Sequence, residues 1–172
     1  MDHFILREAG PGDLEGVMNV MEAAARLTRP KEWFVPDDAD YVAAHLDMRQ
    51  GFVLAAEAEE GRIAAFFMVH FPGLAENNLG RALSFPEQEL LRCAHMDSAA
   101  VLPEYRGFGL QRRLCRMAEQ HAGEKGFRHL LCTVHPDNRF SLQNMQQSGY
   151  EIRTTLLKYG GLPRHILLKE LP

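Results

Sequence analysis

Two short stretches of this 172-residue chain carry residue types that do chemistry together. The first, V-L-P-E-Y-R-G-F-G-L-Q-R-R-L over 101–114, ends an apolar run, turns through Arg106, Gly107 and Gly109, and opens a helical pattern. A strand leading through glycines into a helix N-terminus offers free N–H groups and a partial positive charge, which suits a phosphate. The glycines let main chain approach the anion with no side chain in the way. The second stretch is His95-x-Asp97 on the strand before that turn. Residues two apart share a strand face. An imidazole beside a carboxylate can take a proton near neutral pH, and the competing reading is a satisfied polar pair. His135 is the next candidate base, more simply a turn residue before Pro136.

The elements that must position these groups follow from the apolar periodicities. The spacing predicts a strand over 3–8, a helix from Asp13 as N-cap to about Leu27, and a loop over 28–38. A second helix follows, capped by Asp38 or Asp40, with Val42, His45 and Leu46 inward. Residues 52–57 and 63–71 read as a buried antiparallel hairpin, 72–90 as an irregular insertion with a short helix after Pro86, and 90–102 as a long strand. A helix over 109–125 puts Leu110, Leu114, Met117, Ala118 and His121 on one face. A buried strand over 129–134, a helix over 138–148 capped by Asp137 or Asn138, and strands over 150–159 and 165–171 complete one α+β domain spanning 1–172.

Composition bounds the function. Net charge −4 and a pI near 6.1 argue against a nucleic-acid surface. No apolar run approaches the roughly 20 residues of a membrane span. The N-terminal M-D-H-F-I-L-R-E lacks the pattern of a secretory signal. Cys93, Cys115 and Cys132 have no disulfide spacing and read as reduced, buried thiols of a cytoplasmic protein. Cys132-x-x-His135 lacks the second pair that a metal site needs, so no metal is expected. Arg112 takes the third glycine's place in G-x-G-x-x-G, which disfavours a dinucleotide fold. Tyr41 and Phe71 read as core rather than as a ligand box.

The element order resembles the GNAT superfamily of N-acetyltransferases, together with V-L-P-E-Y-R-G-F-G-L and the downstream T-V-H-P-D-N-R-F-S-L-Q-N-M-Q-Q-S-G-Y. The resemblance is sharp over 90–160 and topological before that. It implies a mixed, mostly antiparallel sheet of about seven strands flanked by about four helices, with the fourth and fifth strands splayed. It implies acetyl-CoA, or another acyl-CoA, as donor. Its pyrophosphate would lie on the amides of Arg106, Gly107, Phe108, Gly109, Leu110 and Gln111. Its pantetheine would bond main chain between Met96 and Val101, including Ala99, Ala100 and Val101. Asn138 would contact the pantetheine arm, and Ser141 would lie near the phosphates. The resemblance places His95 about where the histone-acetylating branch has its catalytic glutamate.

Two positions depart from the family pattern. Gln111 stands where Gly or Ala is usual, and Met145 stands where a tyrosine commonly returns a proton to the CoA thiolate. The implied activity is acetyl transfer to a primary amine, small or peptidic, by direct attack in a ternary complex. His95 and Asp97 would be the catalytic pair, and a homodimer is the candidate assembly. The rival reading is a non-catalytic acyl-CoA sensor of the same fold. The acidic side chains of the insertion, Glu76, Glu87 and Glu89, together with Trp33 and Phe34, are the acceptor-side suspects.

Overall fold

The computed structural model describes residues 3–172; the first two residues of the expected signal-free N-terminus lie outside the described residues. Seven strands form one mixed sheet. They are β1 (Ile5–Glu8), β2 (Gly51–Glu57), β3 (Ile63–His70), β4 (Cys93–Val101), β5 (His129–Val134), β6 (Glu151–Lys158) and β7 (Leu162–Glu170), in the order β1-β2-β3-β4-β5-β7-β6. Five helices accompany them: α1 (Leu14–Leu27), α2 (Ala39–Leu46), α3 (Glu87–Leu90), α4 (Leu110–Glu124) and α5 (Arg139–Gln147). The α+β class and the element order agree with the sequence reading. The short helix after Pro86 is present as α3, which delays the start of β4 to Cys93.

The chain divides into two compact units, 3–70 with 97–118, and 71–96 with 119–172. In the first unit, β2 pairs antiparallel with both β1 and β3, and both β2 and β3 are buried along almost their whole length. Buried Val17, Val20 and Met21 of α1 and Val42 and Leu46 of α2 meet Val53, Ala55, Phe66 and Met68 of the hairpin. The helical 3–4 spacing on one side and the strand period of two on the other bring these side chains into one layer. The Leu102 N–H donates to the Ala64 carbonyl at 2.9 Å, so the C-terminal end of β4 is held beside β3.

Two expected caps resolve differently. Asp38 caps α2, its Oδ1 accepting from the Tyr41 N–H at 2.8 Å. Asp13 occupies the N-cap position of α1 as expected, but its side chain makes no cap bond there. Its carboxylate instead accepts from the Gly10 N–H and takes both ends of the Arg7 guanidinium at 2.8 Å. A bidentate arginine outcompetes a single N–H for a carboxylate.

Gly51 begins β2 at φ 157°, and a Cβ there would lie 1.9 Å from the Val69 carbonyl oxygen and 2.9 Å from His45 Cδ2. Gly51→Ala is expected to lose about 3 kcal/mol of stability, since backbone on the facing strand cannot yield as a side chain can. A urea titration checks this, a midpoint unchanged from the parent being the contrary result.

In the second unit, β5 pairs antiparallel with β7, and β7 with β6. Leu79, Cys93, Leu131, Ile166 and Leu168 form a buried cluster there. The parallel register of β4 with β5 covers Cys93–His95 against His129–Leu131. Past it each strand continues, β4 to Val101 and β5 to Val134.

Candidate active site

The glycine turn takes the form its sequence requires. Pro103–Tyr105 make one 3₁₀ turn, Arg106 is extended, and Gly107 and Gly109 hold φ of 89° and 69°. Such angles are open to glycine and costly for branched residues. The Arg113 N–H donates to the Gly109 carbonyl at 3.0 Å, so α4 starts at once, and the N–H groups of Leu110 and Gln111 have no acceptor within the helix. Leu110 is buried and anchors the start of α4, while Phe108 is exposed and packs on Phe4 with ring centroids 5.4 Å apart.

Three observations fit an anionic donor here. A Cβ added at Gly107 or Gly109 would meet nothing within 4 Å. The first turn of α4 carries Arg112 and Arg113 and no acid, an arrangement the helix dipole opposes unless an anion is bound. The Ser98 hydroxyl on β4 is buried with no hydrogen-bond partner among the described residues. That serine escaped sequence reading, because nothing in a strand pattern marks a buried hydroxyl as unmet.

His95 and Asp97 find different partners. His95 is buried, and its Nε2 accepts from the Leu79 N–H at 3.0 Å, within the second unit. That bond puts the ring proton on Nδ1 and engages the remaining lone pair. Asp97 belongs to the first unit and accepts from the Tyr41 hydroxyl at 2.8 Å. More than a third of Asp97 is exposed, yet burial is the largest influence on its carboxyl, which is raised above the usual range. Solvent therefore still reaches the residue. The Tyr41 hydrogen bond and the charges of His70 and His45 work against that rise.

Tyr41 also connects Asp97 to groups that the sequence reading did not assemble. Its carbonyl lies 2.7 Å from His45 Nδ1, and His45 Nε2 lies 2.9 Å from His70 Nδ1. His45 and His70 are both buried. Tyr41 packs its ring 4.4 Å from that of His45, so its body joins the core as expected while its hydroxyl does polar work. The available signal was Tyr41-x-x-x-His45, two polar-tipped residues one helical turn apart on the inward face of α2. His70, at the last position of β3, gave none.

Asp37, just before α2, has its carboxyl pushed up to about 7, first by burial and then by the negative charges of Asp97 and Asp38. Folding therefore favours the protonated form. The contribution is present below about pH 4 and is lost as pH rises through about 7. Asp37→Asn is expected to match the parent's stability near pH 4 and exceed it by about 1–2 kcal/mol above pH 7, after discounting for partial solvent exposure. Denaturation at the two pH values decides it; equal stability at both would contradict the assignment.

In the second unit, Asn138 caps α5, its Oδ1 accepting from the Ser141 N–H at 3.2 Å. Met145 is buried in that helix. His135 Nδ1 accepts from the Asp137 N–H at 3.1 Å, in keeping with a turn residue. Glu89 of the insertion is engaged with His129 Nε2. Among the described residues, no group of three or more His, Cys, Asp or Glu side chains is placed to hold a metal ion, and no helix is long and apolar enough to cross a membrane.

The glycine turn opens a helix with a basic first turn within a seven-stranded mixed sheet, an arrangement that suits an anionic ligand. The family model described as Acetyltransferase (GNAT) family matches residues 18–150, and the chain belongs to that family. It is similar to a mycothiol acetyltransferase of Thermobifida fusca, 25% identical over 149 residues, covering 87% of this chain but only 39% of that protein's length. Solved structures share the fold. An acetyltransferase of the GNAT family from Listeria monocytogenes has a TM-score of 0.74 at 18% identity, covering 98% of this chain and 95% of that one. The protein yncA from Salmonella typhimurium, solved with its cofactor acetyl-CoA, has 0.72 at 19% identity, covering 99% and 95%. A ribosomal-protein-alanine N-acetyltransferase from Brucella melitensis has 0.72 at 21% identity, covering 97% and 99%.

Proposed function

We propose that residues 1–172 act as one cytoplasmic N-acetyltransferase domain that moves an acetyl group from acetyl-CoA to a primary amine, by direct attack with both substrates bound. The reading is carried by the turn 106–111: two glycines at positive φ opening a helix whose first turn is basic. Arg106, Gly107, Phe108, Gly109, Leu110 and Gln111 hold the pyrophosphate through main chain. Ala99, Ala100 and Val101 offer β4 main-chain groups to the pantetheine, and Asn138 and Ser141 complete the donor contacts. The donor supplies an acetyl thioester already activated for transfer. A fixed main-chain N–H on β4 polarises its carbonyl, a contribution typically worth about 2.7–4 kcal/mol.

Asp97 takes the proton that the acceptor's ammonium must lose before nitrogen can attack. Its access to solvent and its Tyr41 contact support that role. His95, with its lone pair engaged by Leu79, serves to position β4. Met145 in the usual tyrosine position favours one second reading, an acyl-CoA sensor without turnover. Calorimetry with acetyl-CoA and a transfer assay over a panel of amines separate the two. Binding with turnover supports the transferase, binding without turnover on any amine supports the sensor, and no binding refutes both.

A further inference from the structure

The acetyltransferase reading needs one proton acceptor, yet the first unit groups three more polar side chains around Asp97 than that step requires. Their hydrogen bonds fix where protons reside. The Tyr41 carbonyl can only accept, so His45 Nδ1 carries an N–H toward it at 2.7 Å. His45 Nε2 then presents its lone pair to His70 Nδ1–H at 2.9 Å. In this neutral arrangement the lone pair left in the dyad is on His70 Nε2, and an added proton lands there. A hydrogen bond between the His70 ring and the Gln50 main chain favours that protonated form.

Tyr41 ties this dyad to Asp97 covalently rather than by a proton wire. Its main chain holds His45 and its hydroxyl holds Asp97 Oδ2 at 2.8 Å. Beside the dyad stand Tyr41 on α2 and Asp97 on β4, and the charge of Asp97 also acts on Asp37, which neighbours Asp38 before α2. The acids are arranged so that a cation on His70 is met by carboxylate, and a carboxylate at Asp97 is met by imidazolium.

Resting on the acetyltransferase reading above, we propose that Tyr41, His45, His70 and Asp97 form one proton-holding unit. In it Asp97 meets the acceptor amine, and the buried His45–His70 dyad sets how readily Asp97 stays a carboxylate. His45, His70 and Tyr41 are positioning residues in this scheme. In the step itself the ammonium N–H bond breaks and its electron pair stays on nitrogen. An O–H bond forms on Asp97, cancelling its charge. The amine nitrogen then attacks the thioester carbonyl and a C–N bond forms. The C–S bond breaks with its electron pair on sulfur, CoA leaves as the thiolate, and the second proton of the nitrogen passes through solvent to that thiolate. The Asp97 carboxyl proton leaves to solvent as the carboxylate is restored. Burial holds His70 below the ordinary histidine range while Asp97 pulls it back, so the two groups read each other's charge.

Such coupling is reciprocal, which gives it two independent readouts. Measurements use the full chain, with acetyl-CoA affinity by calorimetry, the pH profile of kcat/KM on a turned-over amine, and ring titration of His45 and His70 by NMR. His70→Asn keeps a side-chain donor for His45 Nε2 but cannot carry charge. It is expected to move the acid limb about one pH unit upward, a roughly tenfold loss of rate on that side, in kcat more than KM. Acetyl-CoA affinity stays at the parent value. Asp97→Asn is expected to lower the pH at which His70 titrates, and Tyr41→Phe to shift the acid limb the same way as His70→Asn.

A merely structural clasp gives a different pattern: unchanged pH profiles in folded His70→Asn and Tyr41→Phe, or His45 and His70 titrating independently of each other and of Asp97. Either overturns the proposal. If the parent binds no acetyl-CoA, the acetyltransferase reading fails, and the NMR titrations still decide whether the four residues form a unit. If His70→Asn does not fold, His45→Gln and Tyr41→Phe carry the same two readouts.

Discussion

Asp97→Asn is expected to lower kcat by about 10²–10⁴-fold, the usual worth of a positioned general base. Acetyl-CoA affinity is expected to stay within about twofold of the parent. The substitution is nearly isosteric, and the asparagine carbonyl can still accept from the Tyr41 hydroxyl, so that contact is kept. What is lost is the capacity to take a proton. The acid limb of the pH–rate profile attributable to Asp97 disappears with it.

The stability effect runs the other way. Folding raises the Asp97 carboxyl above its ordinary value, so ionising it costs stability as pH climbs through the folded-state value. Asp97→Asn is expected to be no less stable than the parent at pH 8. Full activity in a folded Asp97→Asn enzyme would remove Asp97 from the mechanism. Raising the pH provides an internal check. An amine already deprotonated at high pH needs no base, so the variant's deficit shrinks there.

The second large effect belongs to the donor turn. Gly109→Val is expected to weaken acetyl-CoA binding by about 10–100-fold, or about 1.4–2.8 kcal/mol. The residue holds φ 69°, and a β-branched side chain pulls the backbone out of that region. The amides of Leu110 and Gln111 then turn away from the positions that the helix start gives them. Space is not the obstacle, since a Cβ at Gly109 meets nothing within 4 Å, so the fold survives and the loss is specific to the donor. Gly109→Asn, a residue that tolerates left-handed geometry, is expected to recover part of the affinity. Calorimetry with acetyl-CoA reads both, and unchanged affinity in Gly109→Val would disconnect the turn from the donor.

These predictions draw on information of different origin. The donor turn was legible because it is local. Gly107, Gly109 and the helix they open are neighbours in sequence, and their backbone angles follow from having no Cβ. The Asn138 cap and the order of strands and helices were legible for a similar reason, since periodicity and turn chemistry act over a few residues. Asp13 sits at the N-cap of α1 as its position suggested, but Arg7, across the β1–α1 turn, offers its carboxylate two bonds in place of a cap bond. His95-x-Asp97 said nothing of partners: one side chain is engaged by the Leu79 amide and the other by the Tyr41 hydroxyl.

The sequence by itself determined the glycine turn, the basic helix start and the strand that leads into them. The tertiary structure decided which side chains gather around Asp97. Tyr41 and His45 share one face of α2, but no spacing relates that pair to His70 on β3 or Asp97 on β4. They meet because α2 packs on the β2–β3 hairpin, whose register places His70 opposite Gly51, the one residue small enough to let His45 lie against that strand end. A phosphate site made of main chain is written in consecutive residues, whereas a network of side chains exists only once packing has chosen its neighbours.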